Sequence, residues 1–121
     1  MAGTTQDCIF CRIVRGEIPS RKVYEDDEIL AFHDINPVAP VHFMLIPKKH
    51  IESLAHATEQ DAGVLGRIMV LTGKLAREQG TPDGYRTIVN TGRIALQDVQ
   101  HIHVHVIGGP EHLGHMLPRR A

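Results

Sequence analysis

The chain has 121 residues, a formal net charge of −1 at pH 7 and 42% hydrophobic residues, which predicts one soluble domain spanning residues 1–121. A domain of this length buries roughly two-thirds of its unfolded surface, enough for one core. Its lysines and arginines are scattered, which excludes a basic face for nucleic acid. No apolar run approaches the ~20 residues that cross a bilayer, which excludes a membrane helix.

The first ten residues, MAGTTQDCIF, lack the basic and then apolar order of a signal peptide, so a cytoplasmic protein is expected, with residues 1–6 flexible. Cys8 and Cys11, the only two cysteines, stand in DCIFCRI. In a reducing compartment such a pair binds metal, works in redox chemistry, or is simply two buried thiols. Ile9, Phe10, Ile13 and Val14 follow helical spacing from Cys8 to Arg15, and GEIP ends that short helix at Gly16 and Pro19. KVYED and EILAFHD read as strands joined by a tight hairpin at Asp26 and Asp27. VHFMLIPKKH is a third strand, broken at Pro47.

Thr58 opens a long helix, with Glu59, Gln60 and Asp61 suiting its positive end and Gly80 closing it. Its apolar stripe is Val64, Leu65, Ile68, Met69, Leu71, Leu75 and Ala76. Gly63, Gly66 and Gly73 either are tolerated there, at up to ~1 kcal/mol each, or admit a second backbone such as another subunit. GYRTIVNTG and QHIHVHVIGG are the fourth and fifth strands. These elements make an α+β domain whose five-stranded antiparallel sheet carries its helices on one face and leaves the other for a ligand.

The chain holds nine histidines, and three of them alternate in HIHVHV. On a strand, His101, His103 and His105 share one face while Ile102, Val104 and Val106 enter the core. Neighbouring imidazoles would lie about 6.5 to 7 Å apart, so three in a row span about 13 Å. That is too far for one zinc ion with ligands at ~2 Å, so at most two can share a metal and at least one is free for catalysis. A neutral imidazole with one nitrogen pinned by a hydrogen bond presents the other as nucleophile or base.

HIHVHVI resembles the signature of the histidine triad family of nucleotide hydrolases and transferases. CIFCRIVRGEIPS, VYEDDEILAFHDINPVAPVHFMLIPKKHI and GYRTIVNTG are similar to stretches of its Hint branch, of the zinc-containing bacterial type. The IGG after the histidines also resembles Hint rather than the Fhit-type diadenosine polyphosphate hydrolases, and the likeness runs from about Asp7 to Gly109.

The resemblance implies a homodimer with one ten-stranded sheet, and hydrolysis of P–N bonds in purine nucleoside 5′-phosphoramidates of AMP or GMP. In that scheme His103 attacks the α-phosphorus and carries the nucleotide until water releases it. His105 contacts the phosphate and helps protonate the amine, and His42 orients the nucleophile. Ile9, Phe10, Ile13, Phe32, Ile35 and Met44 match positions around the base; read without the family, Ile13 and Met44 are plain core. Asp34 matches the acid that binds the ribose hydroxyls, Asn90 and Gln97 match amides near the phosphate, and Val99 falls within the same nucleotide-binding stretch. Cys8, Cys11, His50 and His101 match a structural zinc set, a closed arrangement of two thiolates and two imidazoles that takes no part in the chemistry.

Two departures from the family pattern stand out. TGRIALQDVQ replaces a glycine-rich segment, and Asp98 occupies the place of a serine beside the scissile bond. A carboxylate there must point away, pair with a cation or alter leaving-group preference. The tail, residues 110–121, lacks the tryptophan-containing end of many Hint proteins, and its His112 and His115 are expected at the surface or an interface. The same histidines would also serve a dinucleoside polyphosphate hydrolase, a nucleotidyltransferase, or a nucleotide-binding module with little turnover.

Overall fold

The stretches ILAF and FMLI are apolar at every position, so a strand made of either has two faces to bury. The computed structural model describes residues 8–117 and meets that demand with a five-stranded antiparallel sheet covered on both sides. The strands are β1 (Lys22–Glu25), β2 (Ile29–His33), β3 (Val41–Pro47), β4 (Tyr85–Ile88) and β5 (Val104–Gly108), in the order β1-β2-β3-β5-β4. Helix α1 (Ile9–Val14) precedes them, and α2 (Ala62–Glu78) lies between β3 and β4. Residues 1–6, and residues 118–121 of the expected tail, lie outside the described part.

The expectation that both helices share one face is corrected. Ile68, Leu75 and Ala76 of α2 pack with Ile29, Ala31, Phe43, Leu45, Val104 and Val106 on one side. Phe10, Cys11 and Ile13 of α1 pack with Leu30, Phe32, Met44 and Ile46 on the other. The unbroken apolar runs require this, because alternate residues of β2 and β3 would otherwise face water.

Local chemistry sets the joints. Asp26 turns β1 into β2: its Oδ1 accepts the N–H groups of Glu28 (2.8 Å) and Ile29 (2.9 Å). Arg67 of α2 holds that turn through Asp26 and Glu28. Thr58 and Asp61 form a capping box, Asp61 taking the Thr58 N–H at 2.9 Å, so the first turn after Thr58 is a 3-10 turn, Glu59–Asp61, before α2 begins. At the other end Gly80 has φ +98°, and Thr81 and Gly80 donate to Ala76 and Arg77 in a Schellman arrangement.

Met69, expected in the apolar stripe, is exposed, and the buried place falls instead to Thr72, whose hydroxyl donates to Met69 O at 2.7 Å. Within the chain nothing lies within 4 Å of a Cβ built on Gly63 or Gly66, and one on Gly73 makes only ordinary contacts. The fourth strand stops at Ile88 instead of continuing to Gly92. The fifth begins only at Val104, so His101 and His103 lead into it rather than lie on it. Pro47 explains the late start: it ends β3, whose ladder pairs Leu45 with Val104, and it has no N–H to extend it. Ile102 donates to Ile51 O at 2.7 Å instead.

Gly108 is where the end of α2 meets the sheet. A Cβ there would stand 2.4 Å from Thr81 Oγ1, and Thr81 is buried, donating to Gly84 O (2.6 Å) and accepting from Gly109 N–H (3.0 Å). Gly108→Ala is expected to cost about 2 kcal/mol, lowering the thermal midpoint by about 8 °C, as measured by calorimetry. An unchanged midpoint would show that Thr81 moves aside freely.

Candidate active centre and metal cluster

The N-terminus of α1, the loop after β3 and the lead-in to β5 converge on four side chains. Cys8, the N-cap, also accepts the Cys11 N–H through its sulfur at 3.4 Å. Cys8 Sγ lies 3.3 Å from His101 Nδ1, and Cys11 Sγ lies 3.3 Å from His50 Nδ1 and 3.5 Å from His101 Nδ1. All four ligand atoms fall within 4.8 Å of one another. Bonds of about 2.3 Å to sulfur and about 2.0–2.1 Å to nitrogen place S and N ligands of a tetrahedral ion about 3.5 Å apart, so the donor atoms fit one.

The second nitrogen of His101 donates to Pro47 O at 2.8 Å, which leaves Nδ1 as the lone-pair nitrogen facing the sulfurs. Burial lowers the His101 pKa from 6.5 to about 4, keeping the ring neutral as a ligand must be. Burial raises the Cys11 thiol to about 11, so a nearby cation is what would make it a thiolate.

The remaining histidines form a separate group. His103 is 3% exposed, and its Nδ1–H donates to His101 O at 2.8 Å. Its Nε2 therefore carries the lone pair, with Asp98 Oδ1 3.6 Å away. Phe10 meets the ring edge-on, centroids 5.1 Å apart. The His103 and His105 rings lie 5.0 Å apart at an interplanar angle of 72°, closer than the spacing expected of a regular strand, which begins only after His103.

His42 on β3 reads the proton positions. Val38 N–H donates to its Nδ1 at 3.1 Å, so neutral His42 carries its proton on Nε2. That nitrogen lies 3.0 Å from His105 Nδ1 and 3.3 Å from Asp34 Oδ2. Its donation to His105 puts the His105 proton on Nε2. Asp34, His42 and His105 also stand close enough to hold a cation, but a protonated His42 Nε2 has no lone pair to offer, so the trio shares a proton instead. Burial lowers the pKa of both His42 and His105, Asp34 opposing it at each.

These three histidine shifts have one sign. Unfolded histidines take up protons first as pH falls, so the native state is weakened on acidification. For metal-free protein His101 sets the window: its contribution is complete above about 6.5 and lost down to about pH 4, about 3 kcal/mol in all. Urea midpoints should fall steadily between pH 7 and 4; a flat profile would contradict a neutral buried His101.

The residues expected around a base divide. Phe10, Ile13, Phe32 and Met44 are buried in the α1 core, with Val99 packed against it, whereas Ile9 is 46% and Ile35 91% exposed. Asp34 Oδ1 accepts the Asn36 N–H at 2.7 Å while Oδ2 turns to His42. Asn90 is half-buried just after β4, and among the described residues its side chain has no partner. Gln97 is buried rather than presented at a loop surface. Its Oε1 accepts Gly92 N–H (2.9 Å), and its Nε2 donates to Glu52 O (2.7 Å) and Val99 O (2.9 Å). Composition carries no signal for that brace. His112 and His115 are exposed, as expected.

Residues 15–112 match the family model described as the HIT domain. The chain is 47% identical over 104 residues to protein HitA of Neisseria gonorrhoeae, covering 86% of this chain and 97% of that one. A histidine triad protein from Clostridium difficile has a similar structure, with a TM-score of 0.84, 43% identity and coverage of 98% of this chain and all of the other. A HIT family hydrolase from Clostridium thermocellum aligns with a TM-score of 0.88 and 41% identity over 94% of this chain and its own whole length.

Proposed function

Because the chain belongs to the HIT domain family, we propose that it is a hydrolase of the Hint branch, cleaving purine nucleoside 5′-phosphoramidates of AMP or GMP to nucleotide and amine. The observation that carries this reading is the tautomer of His103: with Nδ1–H held by the His101 carbonyl, the Nε2 lone pair is available to phosphorus. That nitrogen forms a bond to the α-phosphorus as the P–N bond breaks, and the amine leaves with the electron pair. His105, its proton on Nε2, contacts the phosphate and assists transfer of a solvent proton to the departing amine. His42 Nε2–H, donating to His105 Nδ1, fixes that tautomer and orientation, and Asp34 Oδ2 stands 3.3 Å from the same nitrogen. Water then displaces His103 and frees the nucleotide.

Ile9 and Ile35 offer apolar surface for the base, with Phe10, Ile13, Phe32, Met44 and Val99 behind them. Asp34 would bind the ribose and Asn90 the phosphate, and Gln97 braces the loop after Asn90 through Gly92 N–H. Cys8, Cys11, His50 and His101 would hold zinc in a closed structural site, outside the reaction. We further read the chain as a single cytoplasmic domain acting as a homodimer; light scattering at micromolar concentration tests the dimer, and a stable monomer contradicts it. No helix among the described residues is long and apolar enough to cross a membrane.

The deciding measurement compares AMP release from adenosine and guanosine phosphoramidates with release from diadenosine polyphosphates. Faster turnover of the phosphoramidates, with a nucleotide adduct on His103, supports the proposal. Turnover of dinucleotides alone would reassign the enzyme, and binding without turnover would make it a nucleotide-binding module.

A further inference from the structure

Asp98 brings a carboxylate beside the nitrogen proposed to attack phosphorus. Its Oδ1 is 3.6 Å from His103 Nε2, and since that nitrogen carries a lone pair, no proton joins the two. The side chain is 83% exposed, and among the described residues no lysine or arginine pairs with it. Yet its backbone does not wander. Gln97 beside it is tied to Gly92, Glu52 and Val99 by three side-chain bonds, and Gln100 Nε2 donates to Gln97 O at 3.0 Å. Leu96 before it is held at φ +58°, a conformation costly for a residue with a side chain. The segment is built to present one uncompensated negative charge at the mouth of the nucleophile.

We propose that Asp98 selects the leaving group, favouring phosphoramidates whose departing amine bears a second, positively charged amine, as a diamine or polyamine does. This rests on the phosphoramidase reading above. In the step, His103 Nε2 gains the bond to phosphorus, the P–N bond gives its electron pair to the amine nitrogen, and that nitrogen takes a proton from solvent water. The amine thus departs neutral or cationic, while a polyphosphate or carboxylate-bearing group would depart as an anion past the Asp98 carboxylate. An exposed carboxylate a few ångströms from the departing group is expected to change rates on the order of fivefold per unit charge, less at high salt.

Three adenosine phosphoramidates of matched length test it: those of 1,4-diaminobutane, butylamine and 4-aminobutyrate. For the wild-type protein kcat/KM should fall in that order, by about thirtyfold from first to last, the spread narrowing in 1 M salt. In Asp98→Asn and Asp98→Ser, whose side chains are exposed and should leave the thermal midpoint unchanged, the spread should shrink to about threefold, the butylamine compound being least affected. The same spread in wild type and Asp98→Asn overturns the proposal. If wild-type protein cleaves none of the three, the phosphoramidase reading falls by itself. Calorimetric Kd values for the same compounds then decide the selector, since equal ratios in wild type and Asp98→Asn, or no binding, overturn it.

Discussion

His103→Ala is expected to abolish release of AMP from adenosine phosphoramidates, lowering kcat by about 10⁴-fold or more, while AMP still binds measurably. The size follows from what is removed. No other imidazole can take over, because His105 Nδ1 accepts from His42 and its remaining nitrogen is protonated. His101 is turned to the thiols and to Pro47 O. Intact-mass measurement after rapid quenching should find a nucleotide adduct on wild-type protein and none on the variant. Full activity in His103→Ala would sink the covalent mechanism.

The second large effect concerns the cluster of Cys8, Cys11, His50 and His101. Cys11 sulfur faces both His50 and His101, so Cys11→Ala removes the donor that joins the two histidines. Purified without chelator, wild type should carry about one zinc per chain and the variant none. The thermal midpoint should fall by about 15 °C, corresponding to about 4 kcal/mol, because metal binding free energy is folding free energy at such a site. A chelator should lower the wild type by a similar amount and leave Cys11→Ala unmoved, which separates loss of metal from loss of a buried side chain. A wild type without metal, indifferent to chelator, would remove zinc from the account.

Much of this could be read from residue order because it depends on local rules. Thr58 with Asp61, and Gly80 after α2, mark a helix by satisfying its end groups, whatever the rest of the chain does. The alternation of HIHVHV and the cysteine spacing likewise express extended and helical geometry. Where the reading failed, distant residues decided. The lead-in to β5 is set by Pro47, and the placing of α1 opposite α2 by the doubly apolar strands. The Gln97 brace reaches Glu52, and the His42 proton is fixed by Val38, relations with no periodic trace. Thr72 entered the core because Met69 O and the Tyr85 hydroxyl satisfy it, whereas hydropathy alone favoured Met69.

The strand order has a consequence for how the molecule is made. β1, β2 and β3 form a meander of near neighbours that can assemble as soon as they leave the ribosome. β4 is synthesised before β5 yet touches the sheet only through it. The inner edge of β3, apolar along Phe43 to Ile46, therefore waits unpaired while α2 and β4 emerge. The strand that closes that edge is the one carrying His105, with His103 at its threshold. The histidines proposed to act on phosphorus thus come together in the same event that seals the sheet, and a half-made chain has neither.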